Sequence, residues 1–134
     1  MPKMIFVNLP VTDLAASTRF YEAIGCTKNE QFSDEKAASM VWSEAVNFHL
    51  LTHEYFATFS TRPIGDAKAA TQMLMALTLE SREAVDAITQ AAAAHGGKAD
   101  IRPPQDMGFM YLRTFEDPDG HVFEPVWMDM TAQG

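Results

Sequence analysis

Glu124 stands four positions after Asp117-Pro118-Asp119-Gly120, and together they carry the chain's most specific chemistry. Asp-Pro-Asp-Gly is a tight-turn sequence, in which proline presets φ at the second position and glycine accepts φ > 0 at the end. The residues that follow, His121 to Trp127, are rich in strand formers and alternate, so Glu124 shares a face with Val122 and Val126. A carboxylate among apolar strand neighbours is costly to bury unless a metal, a cation or a hydrogen-bond donor meets it. On the wet face of a strand it needs no such partner. Tyr111 and Arg113 share one face of another strand. There the guanidinium either clamps an anionic substrate group by a bidentate hydrogen bond or pairs with a surface carboxylate. Met4 and Met40 offer polarizable surface suited to planar ligands, and Trp42, in a strand beside Met40, offers a ring for stacking. The same residues at strand spacing would equally make an ordinary core.

The elements that must position these groups come in two similar sets. Met4 to Leu9 alternates as a strand, with Met4, Phe6 and Asn8 on one face. Asp13 caps a helix whose apolar positions are Leu14, Phe20, Tyr21 and Ile24, and Gly25 ends it. Strand-like runs follow at about Thr27 to Phe32, Ala37 to Ser43 and Val46 to Thr52. The order then repeats: a strand from Met73 to Leu79, a helix capped by Ser81 and ended by Gly96-Gly97, and strands near Lys98 to Ile101, Phe109 to Thr114 and His121 to Met128. The chain therefore reads as α+β, a single domain over 1–134 made of two βαβββ units, 4–52 and 73–128, joined by a linker, 53–72. Within the linker, His53 to Phe59 can form a helical turn that either covers a groove with Tyr55, Phe56 and Phe59 or packs them on the sheet.

Composition narrows the partners. A chain of 134 residues, 47% hydrophobic and 21% charged, is one globular domain that buries roughly two-thirds of its unfolded surface. A net charge of −8 argues against nucleic acid and anionic membrane as partners. No apolar run approaches the roughly 20 residues needed to span a bilayer. The start shows no signal-peptide pattern, and Cys26 is the only cysteine, so a reducing cytoplasm is the expected location.

The opening Asn8-Leu-Pro-Val-Thr-Asp-Leu-Ala-Ala-Ser-Thr-Arg-Phe-Tyr-Glu-Ala-Ile-Gly25 and the closing Phe115-Glu-Asp-Pro-Asp-Gly-His-Val-Phe-Glu124 resemble the vicinal oxygen chelate superfamily. That group includes glyoxalase I, fosfomycin-resistance transferases, extradiol dioxygenases and bleomycin-resistance proteins. The resemblance implies that each βαβββ unit curls into half of a cup, completed in many relatives by a partner subunit, and so a homodimer here. In metal-dependent members, first- and last-strand residues converge on one divalent ion. Carried onto this chain, those positions are Phe6, His49, Leu74 and Glu124.

His49 and Glu124 suit Zn²⁺, Ni²⁺, Mn²⁺ or Fe²⁺, whereas Phe6 and Leu74 cannot bind a metal at all. Asn8, two residues from Phe6 on the same face, could add an amide oxygen. Two functions follow as expectations. One is a glyoxalase-like lyase or isomerase acting on a small oxygenated substrate, with Glu124 as ligand or base and His49 as second ligand. The other is a metal-free protein that binds or sequesters a small molecule in an apolar cup lined by Phe6, Trp42 and Leu74. Asn8, Tyr111 and Arg113 are the further candidate substrate contacts.

Overall fold

The computed structural model describes residues 3–133. They form an α+β fold of two compact units that divide between Asp66 and Ala67, inside the expected linker.

The first unit contains strand β1 (Ile5–Val11), helix α1 (Leu14–Ala23), strands β2 (Thr27–Asn29), β3 (Ala37–Val41) and β4 (Val46–Thr52), and the short helix α2 (His53–Phe56). Its sheet has the order β1-β4-β3-β2, with β1 parallel to β4 and the other pairs antiparallel. The Asp13 carboxylate accepts the Ala16 N–H at 3.0 Å and so starts α1, as the sequence predicts. The helix buries Ser17, Phe20 and Tyr21. The alternation of the strands supplies the matching wall: Leu9, Ala38, Met40, Phe48 and Leu50 are all buried, and Tyr21 lies 5.7 Å from Phe48. The predicted strand Thr27 to Phe32 stops at Asn29, and Glu30–Phe32 is a tight 3-10 turn. Local side-chain bonds compete with the ladder there. The Asn29 amide oxygen accepts the Gln31 N–H at 3.2 Å, and the Ser33 hydroxyl donates to the Asn29 carbonyl at 2.7 Å. The predicted turn at His53 is α2, capped by the Thr52 hydroxyl. Tyr55 and Phe56 are half-buried, while Phe59 is exposed and meets Tyr55 edge to face at 5.0 Å.

The second unit contains β5 (Leu74–Thr78), α3 (Arg82–Ala94), β6 (Lys98–Ala99), β7 (Gln105–Asp106), β8 (Met110–Leu112), β9 (Phe115–Glu116) and β10 (Val122–Met128). Ser81 caps α3 through its hydroxyl, and Val85, Ile88, Thr89 and Ala92 bury one face of it. Strand β10 is central, parallel to β5 on one side and antiparallel to β9 and β8 on the other. The predicted strands Lys98 to Ile101 and Phe109 to Thr114 are shorter than expected, and β7 and β9 are additional. Asp100 adopts φ +56°, and Pro103-Pro104 follows, so the outer strand cannot run unbroken from β6 to β7. The Asp117-Pro-Asp-Gly turn forms as expected. Asp117 is buried, its carboxylate accepts the N–H groups of Asp119 and His121 at 2.9 Å each, and its carbonyl accepts the Gly120 N–H at 3.0 Å. Asp117 is thus spent on shaping the turn that launches β10.

Candidate functional site

Strand β4 lies between β1 and β3, so its register decides which side chains become neighbours. Asn8, His49 and Ser39 stand side by side across the three strands, and Asn29 of β2 continues the rung. The adjacent rung is Phe6, Asn47, Val41 and Thr27. Directly paired residues share a face. This face is therefore opposite the one that carries Leu9, Met40, Phe48 and Leu50 against α1. The expected grouping of Phe6, Asn8 and His49 is present: the Phe6 and His49 rings lie 4.9 Å apart and tilted by 47°. Phe6 is 49% exposed, Asn8 is exposed and His49 half-buried. Desolvation lowers the His49 pKa, which keeps the imidazole neutral near pH 7.

Two other sequence-predicted residues of this unit lie elsewhere. Met40 is fully buried on the α1 side of the sheet and offers no pocket surface. Trp42 lies beyond the end of β3, half-buried, with its six-membered ring 3.7 Å from where a Cβ on Gly25 would stand. It packs at the end of α1 and not beside His49.

In the second unit, β10 places Glu124 opposite Ala76, with Leu74 opposite Val122 and Thr78 opposite Val126. Glu124 shares a face with Val122 and Val126, both buried, as the alternation predicts. Glu124 itself is half-buried, and among the described residues no hydrogen bond or ion pair engages its carboxylate. Leu74 is 55% exposed. The two units repeat one register relation. Phe6 pairs with the residue two before His49, and Leu74 pairs with the residue two before Glu124. Phe6 and Leu74 thus occupy equivalent positions on the first strands of their units.

Tyr111 and Arg113 do not join Glu124. Tyr111 pairs with Trp127, and the Arg113 N–H donates to the Pro125 carbonyl, which places both side chains on the face that α3 covers. Arg113 donates through Nε and Nη2 to the two oxygens of Asp100 at 3.1 and 2.8 Å, and through Nη1 to Asp86 at 3.0 Å. The Tyr111 hydroxyl donates to the same Asp86 oxygen at 2.7 Å. The guanidinium fork is occupied by protein carboxylates, so Arg113 is a structural clamp and not a substrate anchor. The hydrogen bond from Tyr111, followed by that from Arg113, holds the Asp86 carboxyl below its ordinary range. A second unforeseen cluster sits at the start of α3. Arg82 bonds Asp106 at 2.7 Å and the Gly108 carbonyl at 2.8 Å, and lies 5.0 Å above the Trp127 ring. The Arg113 partners lie 13 and 27 residues away and the Arg82 partners 24 and 26, so no local signal in the sequence marks either cluster.

Zn²⁺, Ni²⁺, Mn²⁺ or Fe²⁺ needs more donors than these residues provide. Among the described residues, no group of three or more His, Cys, Asp or Glu side chains is placed to hold a metal ion. Phe6 and Leu74 fill two of the four expected positions with carbon, and a catalytic zinc site ordinarily has three protein ligands. The other histidines do not repair this. His95 meets the Ala91 carbonyl at 2.9 Å at the end of α3, His53 begins α2, and the His121 N–H serves the turn. An open cleft of about 410 Å³ lies on the α1 side of the first sheet, lined by Leu14, Thr18, Lys28 and Asp34 among others. It includes none of the predicted site residues, and its Asp34 carboxylate serves a local turn by accepting the Lys36 and Ala37 N–H groups.

Comparison with known proteins accords with this architecture. A family model described as the Glyoxalase/Bleomycin resistance protein/Dioxygenase superfamily matches residues 3–124. No curated protein matches the sequence. Among solved structures, a hypothetical protein from S. aureus is 24% identical with a TM-score of 0.79, covering 95% of each chain. A glyoxalase/bleomycin resistance protein/dioxygenase family enzyme from Burkholderia phytofirmans is 21% identical with a TM-score of 0.76, covering 95% of this chain and 99% of its own. The fosfomycin resistance protein FosX from Mesorhizobium loti is 16% identical with a TM-score of 0.69, covering 99% and 98%. At these identities the likeness is one of fold.

Proposed function

Because the chain belongs to the glyoxalase/bleomycin resistance protein/dioxygenase superfamily, we propose that it is a metal-independent member that binds a small molecule, and that it works as a homodimer in the cytoplasm. The observation that carries this reading is the replacement of first-strand donors by Phe6 and Leu74, both about half exposed, with Phe6 packed against His49. Exposed apolar side chains beside a few polar groups are the usual lining of a ligand site. Phe6, Asn8 and His49 are the contacts offered by the first unit, and Leu74 and Glu124 those offered by the second. No hard-metal step is assigned to His49 or Glu124, since among the described residues no group of three or more His, Cys, Asp or Glu side chains is placed to hold an ion.

Support for the dimer comes from the sheet edges. Among the described residues, β1 pairs in its own sheet only with β4, and it carries exposed Ile5 and Phe6; β5 pairs there only with β10, with Met73 and Leu74 exposed at its start. Edge strands with exposed apolar residues are surfaces that proteins normally cover.

The deciding experiment is metal analysis of protein purified without chelators, followed by calorimetric titration with Ni²⁺, Zn²⁺ and Mn²⁺. Absence of stoichiometric metal and of titration heat supports the reading. Tight stoichiometric metal that His49→Ala or Glu124→Gln removes would replace it with the lyase or isomerase reading. A solution mass equal to one chain at micromolar concentration would refute the dimer.

A further inference from the structure

The two rungs of the first sheet that hold His49 are unusual for a chain this acidic. Across them stand Phe6, Asn47, Val41 and Thr27, then Asn8, His49, Ser39 and Asn29. No Asp, Glu, Lys or Arg is among them, although 21% of the chain is charged. The polar groups are three carboxamides, two hydroxyls and an imidazole. Asn47 and Ser39 are each only 4% exposed. Among the described residues no hydrogen bond engages the Asn47 amide or the Ser39 hydroxyl. Neither residue is among those with a buried, partnerless side-chain atom, so their polar ends keep contact with solvent, where a ligand can take the place of water.

We propose that Asn47, His49, Ser39 and Asn8, bordered by the Phe6 ring, form a subsite for an uncharged aromatic carboxamide or lactam. This rests on the metal-independent reading above and names the ligand class for it. The ring lies on the exposed side of Phe6, and the amide edge meets the polar rung. Carboxamide, hydroxyl and neutral imidazole groups each donate and accept, so the complementary edge must do both. Side chains paired across strands stand about 5 Å apart, so one planar amide can bridge two of them. A carboxylate only accepts, so it would leave the acceptors of the rung unmet and find no cation in these two rungs. An ammonium only donates and would find no anion.

The test is a titration of the isotope-labelled full chain, followed by NMR, with three isosteric probes: benzamide, benzoate and benzylamine. Benzamide is expected to shift the side-chain signals of Asn47, Asn8 and His49 and to bind at least about tenfold more tightly than either ion. Asn47→Leu should abolish that preference without lowering the thermal midpoint, because an unpaired amide is exchanged for an apolar group of like shape. Asn8→Ala, at an exposed position, should weaken benzamide several-fold in a protein whose folding is unaffected. Equal binding of the three probes, shifts mapping elsewhere, or no binding overturns the proposal, as does a lowered midpoint for Asn47→Leu. The metal titration is independent of these outcomes, so failure of the ligand class and failure of the metal-free reading are told apart.

Discussion

Replacing Gly120 by alanine should cost far more stability than the same change at Gly108, and the structure says by how much. Both glycines have positive φ, +97° and +82°, so both substitutions place an L side chain in a region it rarely adopts, at about 1–3 kcal/mol each. Both also stiffen the unfolded chain equally, which cancels in the comparison. The surroundings differ. A Cβ at Gly108 meets nothing within 4 Å, whereas one at Gly120 would stand 2.6 Å from Lys68 Cγ, 2.8 Å from Lys68 N and 3.0 Å from Ala67 C. The last two are backbone atoms and cannot swing aside, so the turn or the segment at Lys68 must shift. Overpacking of this kind adds roughly 1–3 kcal/mol. The expected difference between the two variants is therefore about 2 kcal/mol, read as a urea midpoint lower by roughly 1 M for Gly120→Ala than for Gly108→Ala. Equal midpoints would refute the reasoning, showing that the turn launching β10 tolerates the contact.

Arg113→Met should destabilise by about 2–3 kcal/mol in urea unfolding, since it strips the partner from Asp100 and half the partners from Asp86; the partial exposure of both carboxylates keeps the loss below that of a fully buried pair. A loss under about 0.5 kcal/mol would show the clamp to be ornamental. Asp86 has a lowered carboxyl pKa when folded, so its contribution is complete above the unfolded value of about 4 and is lost as pH falls through the folded value. Tyr111→Phe, which removes the largest cause, should flatten the acid side of the stability–pH curve, and an unchanged acid limb would contradict the assignment. Phe6→His would set a second imidazole beside His49 at the present 4.9 Å ring separation, and zinc affinity should rise at least about tenfold above the parent's by calorimetry. No gain would mean that the two rings cannot turn toward one ion. Burial pushes the Cys26 thiol up to about 12, so a disulfide reagent should label it only as urea opens the fold, and rapid labelling of the native protein would place Cys26 at the surface.

Local signals in the sequence carried the elements well where one residue sufficed to specify them. Asp13, Ser81, Gly25 and the Asp117-Pro-Asp-Gly turn each act within four positions, and each does in the structure what its chemistry dictates. The face shared by Phe6, Asn8 and His49, and that shared by Glu124, Val122 and Val126, also follow from alternation alone. Side-chain partners beyond the strand were not legible. In the sequence Arg113 reads equally as a substrate clamp or as one half of a carboxylate pair, because nothing local marks Asp86 and Asp100, 27 and 13 residues away. The surroundings of Met40 and Trp42 are hidden from the sequence for a different reason. Apolar side chains on both faces of β3 look alike in sequence, and only the contact with α1 separates core from open surface. The strand expected over Lys98 to Ile101 stops at Ala99, because propensity fixes a strand's tendency while the positive φ of Asp100 fixes where it breaks.

The positions of Phe6 and Leu74 bear on what this fold tolerates. Each lies on a strand that, among the described residues, is at the edge of its own sheet, with its side chain turned away from the helix. A side chain there can change without disturbing a ladder bond or the core, since neither depends on it. His49 and Glu124, by contrast, stand on β4 and β10, which pair on both sides and carry the packed cores of their units on the reverse face. The chemistry of the face can therefore be rewritten through the edge strands while the central strands keep the frame. An exposed Phe6 leaning on a neutral His49 is one product of that freedom. It turns a position where a donor would face His49 into one that offers a carbon surface, and binding rather than metal chemistry is the use proposed for it above.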